Sequence, residues 1–571
     1  MARADALKLS EGARRALVGA VLALLTLLLH GGALQMGWRH DDPAHLRFVG
    51  TYSPWQYFVV PEVMREQSYA HITPWNALFY AIGLKPFGLD ARGHYAHLLA
   101  VIWLTACVTW GLLRRWAGDG AAFAGAALFL VMPPTGAMAQ LLMTGHYAYG
   151  LLWTCLALGC WSRAARQGRL RDAWAAAFFY ALACLCKELY VPLPMVLLFW
   201  PALAWRLRLR LLAPVMAVAC SYAVLRLWLL GGVGGYAKLA DAPAVGQAEL
   251  MTGLVRMAQG VVHMALGAGA EGWLALALVG ACLLAGWARG WRPPVVMAGA
   301  ALLALLVPIA PVLLAISQGG IAGRFLVLVG WTLSVALAFS MRHAGGWGAG
   351  LGAALLLVLG MNQQLQGALI EGASRSGQFE NQFMLDGDAA GHLIPLDYAH
   401  TGYVHSMGEA RRLIRGEAAP TVVQDEEQLA HLGAEAGRAT MAWVPDCACL
   451  RPLGDAWDVR AQAFERGVAL GRALAPAMAV EIRLKDEGRF KRLSWQVRGP
   501  AGRVMLEVPE LGNFEIQRQG QAPFGTDATL RLKDTVGVRA VIETPEGALI
   551  RSPLLVLPTR GEHHASWSGE E

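Results

Sequence analysis

The sequence predicts a mainly α-helical polytopic membrane bundle followed by a C-terminal extracytoplasmic α+β or β-sandwich domain. Three observations carry that expectation. Of 571 residues, 56% are hydrophobic and only 16% charged, and the apolar residues gather in runs approaching the ~20 needed to cross a bilayer. The charge is divided unevenly: from residue 362 onward there are 22 Lys+Arg against 28 Asp+Glu, so the basic excess lies in the apolar part. Its Lys and Arg fall mostly in short loops, the pattern of orientation by the positive-inside rule, so the pI near 9.0 is not read as nucleic-acid binding. Beyond residue 478 the hydropathy period changes to two, the period of half-buried strands.

Lys8, Arg14 and Arg15 precede an apolar run from about Ala16 to Met36. Positive flanks place the N-terminus in the cytoplasm, and the run is too long for a signal-peptide core, so it reads as a retained helix. The next segment, 37–93, is rich in aromatics and proline and reads as short outer-surface helices. Spans then follow over 94–113, ending at Arg114-Arg115, and over 121–140, interrupted by Pro133-Pro134. Those over 146–161, 173–186, 189–205 and 211–230 come next, with basic residues at Arg163, Arg166, Arg169, Arg171, Arg206, Arg208 and Arg210. The stretch 249–268 is assigned to the outer surface, because that choice keeps Arg289, Arg292 and Arg342 inside. Runs over 273–288, 295–316, 324–341 and 345–361 complete about eleven spans. The expected organisation is a membrane domain over 1–361, an extracytoplasmic mixed segment over 362–477, a small β-sandwich over 478–560 and a disordered tail over 561–571. Helical stretches are expected at Asp425–Glu435 and Trp457–Leu474, and strands at 480–484, 503–508, 528–532, 540–542 and 554–557. The C-terminal domain is thereby periplasmic, and the abundance of Gly, Ala, Arg and Trp suits a bacterial inner-membrane protein.

Ionisable residues near membrane depth are costly and therefore candidates for function. Asp41 and Asp42 follow the first span directly, in His40-Asp41-Asp42-Pro43-Ala44-His45. His146 stands in Thr-Gly-His-Tyr, Lys187-Glu188 between two apolar runs, and Arg324 after Ser317-Gln318-Gly319-Gly320. All are expected on the outer side, facing one aqueous cavity. Each also has a plain structural explanation: a solvated turn for the acidic pair, an interfacial turn residue for His146, an ion pair for Lys187-Glu188 and a snorkelling anchor for Arg324. Together they offer a base and cations, the chemistry for moving a group from a lipid-linked anionic donor to a nucleophile. A transporter or flippase of a lipid-linked or anionic envelope precursor is the alternative. Transporters often show repeated halves, and no internal repeat is visible here. A third possibility is an assembly protein whose outer tail binds a partner.

Several stretches resemble, in order, the GT-C superfamily of integral-membrane glycosyltransferases, particularly the polyprenyl-phosphate-sugar-dependent branch with the protein O-mannosyltransferases and aminoarabinose transferases. Asp41-Asp42 resembles that family's acidic pair in the first outer loop. His71-Ile72-Thr73-Pro74, Phe87-Gly88-Leu89-Asp90 and His94-Tyr95-Ala96-His97 resemble its segments before the second span. Leu185-Cys186-Lys187-Glu188 with Pro192 and Pro194 resembles its Ser-Lys-Glu with a following proline, and Gly323-Arg324-Phe325-Leu326 its late Arg-Tyr-Leu. The resemblance covers about residues 15–345. Ile72-Thr73 departs from the usual Arg-Pro step, and His146 stands where many relatives carry Arg or Lys. The resemblance implies an inverting transfer with Asp41 as general base, Asp42 positioning it or the acceptor, and Lys187 and Arg324 on the donor phosphate. Glu188, His45, His71 and His146 complete the implied substrate-binding set. The implied partners are a polyprenyl-phosphate-linked sugar donor, a protein, lipid or glycan acceptor, and membrane lipids. No cofactor is demanded, although the acidic pair could bind a divalent cation.

Seven of the nine cysteines lie in apolar segments and make no metal spacing. Cys447 and Cys449 form Cys-Ala-Cys in the tail, where an extracytoplasmic setting permits oxidation. No nucleotide-binding or zinc motif appears there.

Overall fold

A computed structural model describes residues 10–68, 70–200, 203–231, 258–291, 320–396, 398–424, 426–486, 491–508, 512–524 and 534–570. The chain packs as two units, Met1–Met36 with Ala70–Ala373, and Gly37–Tyr69 with Ser374–Glu571.

The first unit is helical. Its opening helix, Glu11–His30, starts where the Ser10 hydroxyl accepts the Ala13 N–H, and Glu11 sits in the first turn where the helix dipole favours an acid. Among the described residues six helical segments are long and apolar enough to cross a membrane: Glu11–Gln35, Ala91–Ala117, Trp205–Leu230, Gly269–Ala288, Gly323–Ala344 and Gly346–Gly372. A seventh arises if Asp119–Val131 and Pro133–Ala139, bent by 57° at their junction, count as one span. The bend falls at Pro133, whose ring and missing N–H break the ladder. The expected span at 295–316 lies outside the described residues, as does part of the outer-surface segment at 249–268, so the count of eleven is not established.

Two expectations need correction in this unit. The run over 189–205 is not a continuous helix: a 3-10 turn at Glu188–Tyr190 and a short helix Leu193–Leu198 replace it. The boundary expected at 361 falls within a single 41-residue helix, Gly346–Asp386. Its polar residues after Asn362 lower hydropathy, while good helix formers such as Gln and Leu keep the backbone helical.

The second unit joins two stretches that are far apart in the sequence, Gly37–Tyr69 and Ser374–Glu571. The short helices Asp42–Thr51, Gln56–Val59 and Pro61–Gln67 belong to it. Asp42–Thr51 packs on Tyr398–Arg415, with Arg47 paired to Glu409 at 3.2 Å. A small sheet follows, with β1 at His392–Ile394, β2 at Thr421–Val422, β3 at Met441–Val444 and β4 at Cys449–Pro452. Its order is β2-β1-β3-β4, with β1 parallel to both β2 and β3. The antiparallel β3–β4 hairpin is closed by the Cys447–Cys449 disulfide, across a left-handed Ala448 with φ +47°. The helical expectation at 425–435 becomes two short helices, Glu426–His431 and Ala434–Ala439, whereas 457–474 lies within one helix, Ala456–Leu474.

The sandwich contains β5 Ala479–Asp486, β6 Lys491–Arg498, β7 Arg503–Val508, β8 Gly512–Ile516 and β9 Gln519–Phe524. It continues with β10 Thr535–Glu543, β11 Leu549–Arg551, β12 Leu555–Pro558 and β13 Glu562–Ser568. One sheet runs β13-β5-β6-β9, the other β11-β10-β7-β8 with β12 also on β10. Alternate residues Val480, Ile482 and Leu484 of β5 meet Val536, Val538, Ala540 and Ile542 of β10 in one apolar core. The strand expected at 528–532 lies outside the described residues. The disordered tail expected from 561 is corrected: Glu562–Ser568 pairs with β5 along its full length. Ala565 and Trp567 pack on the core, while the intervening His, Ser and Glu residues hide the alternation from a hydropathy reading.

Candidate functional site

The site in the helical unit is built on the break after helix Leu170–Cys184. The Cys186 and Lys187 N–H groups both bond the Ala183 carbonyl, at 3.0 and 3.3 Å, and Lys187 then turns extended at φ −163°. Pro192 and Pro194, which lack N–H groups, suit the start of the next helix. Tyr190 locks this turn. Its hydroxyl donates to the Tyr147 carbonyl at 2.6 Å, and its ring lies so close to Gly150 that a Cβ there would sit 2.1 Å from it. Glycine at 150 is thus a packing requirement rather than a helix-breaking accident.

Glu188 is the hub. One carboxylate oxygen accepts the Ile72 N–H at 3.1 Å and Arg226 Nη1 at 2.5 Å, while the other lies 3.2 Å from His71 Nδ1. Arg226 also donates to the Ala70 carbonyl at 2.9 Å. These bonds tie the 70–73 segment, the 187–190 turn and helix Trp205–Leu230 together. Burial works to raise the Glu188 pKa, but His71, Lys187 and Arg226 outweigh it and hold the carboxyl far below its usual range. Burial and the neighbouring Lys187 lower the His71 pKa, keeping that imidazole neutral near pH 7.

Lys187 stands differently. Among the described residues its one ion-pair contact is Glu188 Oε2 at 3.9 Å, beyond hydrogen-bond distance, and its ammonium lies 5.8 Å from the Tyr147 ring. Its side chain keeps only 13% of its surface exposed. Burial pulls its pKa down to about 8; Arg324 and Arg226 add like-charge repulsion, against which Glu188 works. Arg324, in the 3-10 turn Gly320–Leu326, stacks its guanidinium 4.5 Å from the Phe325 ring, and Phe325 meets Tyr147 edge-on at 6.2 Å. His146 is buried beside the Tyr147 ring, 4.5 Å between centroids.

The structure therefore brings together His71, Lys187 and Glu188 directly, and sets Arg324 and His146 around the same Tyr147. Arg226 is a member that the sequence reading misses. Its signal was present: a lone guanidinium inside a long apolar run, costly unless paired.

Asp41, Asp42 and His45 form a second constellation, within the other unit. Asp42 is 1% exposed and accepts the Arg39 backbone N–H at 3.0 Å, which closes the turn before its helix. His40 takes the left-handed conformation at φ +52°, uncommon for a residue with a Cβ and costly unless its surroundings hold it. Arg39, also buried, donates to Ser374 Oγ at 2.7 Å, and Asn381 Nδ2 donates to the Trp38 carbonyl at 3.0 Å. Asp41 is the exposed member. Its Oδ1 accepts the Tyr403 hydroxyl at 2.9 Å. Burial lowers the His45 pKa while Asp41 works against that. The adjacent carboxylates thus have unlike tasks: Asp42 holds the turn and Asp41 faces solvent. Among the described residues no group of three or more His, Cys, Asp or Glu could hold a metal ion.

No family model matches the chain, and no curated protein matches it in sequence. Solved structures do. The Archaeoglobus fulgidus oligosaccharyltransferase tethered with an acceptor peptide containing the NVT sequon is similar at a TM-score of 0.40 and 11% identity, over 73% of this chain and 64% of that one. ArnT from Cupriavidus metallidurans bound to undecaprenyl phosphate is similar at a TM-score of 0.36 and 16% identity, over 77% of this chain and 94% of that one. The Archaeoglobus fulgidus oligosaccharyltransferase AglB in complex with an inhibitory peptide and a dolichol-phosphate is similar at a TM-score of 0.39 and 11% identity, over 89% and 74%. These are glycosyltransferases of the GT-C type that the motifs resemble. The chain spans 64% of the length of the first of them. The likeness is one of general chain path.

Proposed function

We propose that this chain is a bacterial inner-membrane glycosyltransferase that moves a sugar from a polyprenyl-phosphate donor to a hydroxyl-bearing acceptor on the outer side of the membrane, with inversion. The observation that carries the reading is the Lys187 side chain, largely buried at 13% exposure. It sits among Arg226 and Arg324, its one ion-pair contact among the described residues is a 3.9 Å approach to a carboxylate already engaged by Arg226, His71 and Ile72, and its charge is disfavoured there. A cation so placed is stabilised by an incoming anion, and a phosphate supplies one.

In the proposed reaction the acceptor oxygen attacks the anomeric carbon as that carbon's bond to the phosphate oxygen breaks. The acceptor proton passes to the Asp41 carboxylate, and polyprenyl phosphate leaves as an anion. Such a leaving group needs no general acid; it needs positive charge where charge develops. Lys187 supplies a point charge and Arg324 a planar fork suited to phosphate oxygens. Glu188, engaged on both oxygens, positions Lys187 through the turn it anchors, and His71 and His146 offer hydrogen bonds to sugar or phosphate. Asp42 and His45 position Asp41.

The test is transfer from radiolabelled polyprenyl-phosphate sugars in membranes holding the parent or Asp41→Asn at matched expression. Loss of transfer with accumulated donor in the variant is the expected result. A fully active Asp41→Asn, or a parent that moves no sugar from any such donor, overturns the reading and leaves transport of an anionic precursor as the working alternative.

A further inference from the structure

At the arginine-rich end of the helical unit, helices Glu11–His30, Ala91–Ala117, Gly145–Gln167 and Leu170–Cys184 border an open cavity of about 900 Å³. That volume lies within the range of sites that hold small-molecule ligands. Two features set it apart from a gap between anchoring side chains. First, its wall includes Gly19, Gly111 and Gly159, one from each of three helices, and a Cβ added at any of them would meet nothing within 4 Å. Missing side chains on three helices thus make one apolar furrow. Second, four guanidiniums line it, from Arg15, Arg114, Arg115 and Arg163, against the single carboxylate of Glu11. Glu11 is already bonded to Arg14, Arg15 and Arg114, and Arg114 also reaches Asp119 at 2.9 Å. Arg163 lies 3.6 Å from Asp172, while Arg115 has neither an ion pair nor a hydrogen bond among the described residues.

We propose that this furrow is a binding site for an anionic phospholipid of the inner-facing leaflet, with its phosphodiester and headgroup at Arg115 and Arg163 and an acyl chain along Gly19, Gly111 and Gly159. The side follows from the positive-inside rule, which puts this end in the cytoplasm. The occupant follows from the pairing of a cationic rim with an apolar floor: a free phosphate ester uses only the first, a neutral lipid only the second. Basic pockets between spanning helices on that side suit anionic headgroups. The site is independent of the proposed transfer reaction.

The test is native mass spectrometry of the full chain in detergent, titrated separately with dioleoyl phosphatidylglycerol, dioleoyl phosphatidylcholine and glycerol phosphate. The parent is expected to retain phosphatidylglycerol in preference to phosphatidylcholine and to retain no glycerol phosphate. Arg115→Gln with Arg163→Gln should lower the preference roughly five-fold per guanidinium removed, while phosphatidylcholine retention stays unchanged and reports an intact fold. Gly159→Leu, which fills the furrow and favours the helix, should abolish retention of both lipids while all four guanidiniums remain. Equal retention of the two lipids, retention of glycerol phosphate at similar strength, or no effect of Gly159→Leu each overturns the proposal.

Discussion

Lys187 and Asp41 are the two charged residues on which the proposed reaction most depends, and their surroundings are opposite. Lys187 is largely buried, and its neighbours Glu188, Arg226 and His71 also clamp three chain segments together. Asp41 is exposed and touches one hydroxyl, while its neighbour Asp42 carries the structural load. A buried charge changes stability and function together, whereas an exposed one can be spent on function alone. The difference teaches where a substitution will be readable as chemistry.

The sharpest way to break this contrast is Asp41→Asn, which should lower transfer by about 10²–10⁴-fold, the usual range for general-base catalysis, while leaving the thermal midpoint unchanged. An equal loss in both would show that Asp41 also carries structure. Lys187→Met comes next. It should cost about 10²–10³-fold in transfer, by analogy with losing one electrostatic stabiliser, and raise stability, because the folded chain disfavours this charge. Arg226→Met should do the reverse: it takes the guanidinium from a partly exposed Glu188 that keeps His71 and the Ile72 N–H, and should destabilise the helical unit by up to about 3 kcal/mol, measured by denaturant or heat in a fixed detergent. If Arg226→Met keeps the parent's stability, Glu188 does not hold the three segments together.

A pH titration sharpens the comparison further. Lys187 is held to about 8, below the usual lysine range, so its ammonium is present below that pH and lost as pH rises through it. Affinity for a polyprenyl phosphate should therefore weaken above about pH 8 in the parent, and the bound anion should pull the Lys187 pKa back up. A Lys187→Arg variant, charged throughout, should show no such limb. The smallest expected effect is Tyr403→Phe. It removes one hydroxyl from an exposed carboxylate and should change turnover by about ten-fold or less, with donor KM unchanged, since a bond to a charged group contributes ~1.5–3 kcal/mol before solvent discounts it.

Much of this was legible along the chain. Long apolar runs, basic loop ends and the change to period two after residue 478 arise from local composition, and local composition decides whether a segment prefers lipid, water or a half-buried sheet. Lys187, Glu188, Arg324 and Asp41 stood out for the same reason, as charges where charge is costly. Only the tertiary structure decided how they are used. Arg226 reaches Glu188 across 38 residues and Ala70 across 156, and no hydropathy window sees such partners. The loop that carries Asp41 packs with residues beyond 374, through Ser374, Asn381 and Tyr403, so a segment that reads as part of the membrane half belongs to the other unit. The last strand, Glu562–Ser568, forms because β5 offers an edge to pair with, not because its own residues demand it. Ion pairs and strand pairing depend on partners distant in the chain; burial preference does not, and that is why the sequence announced the elements and left their partnerships to the fold.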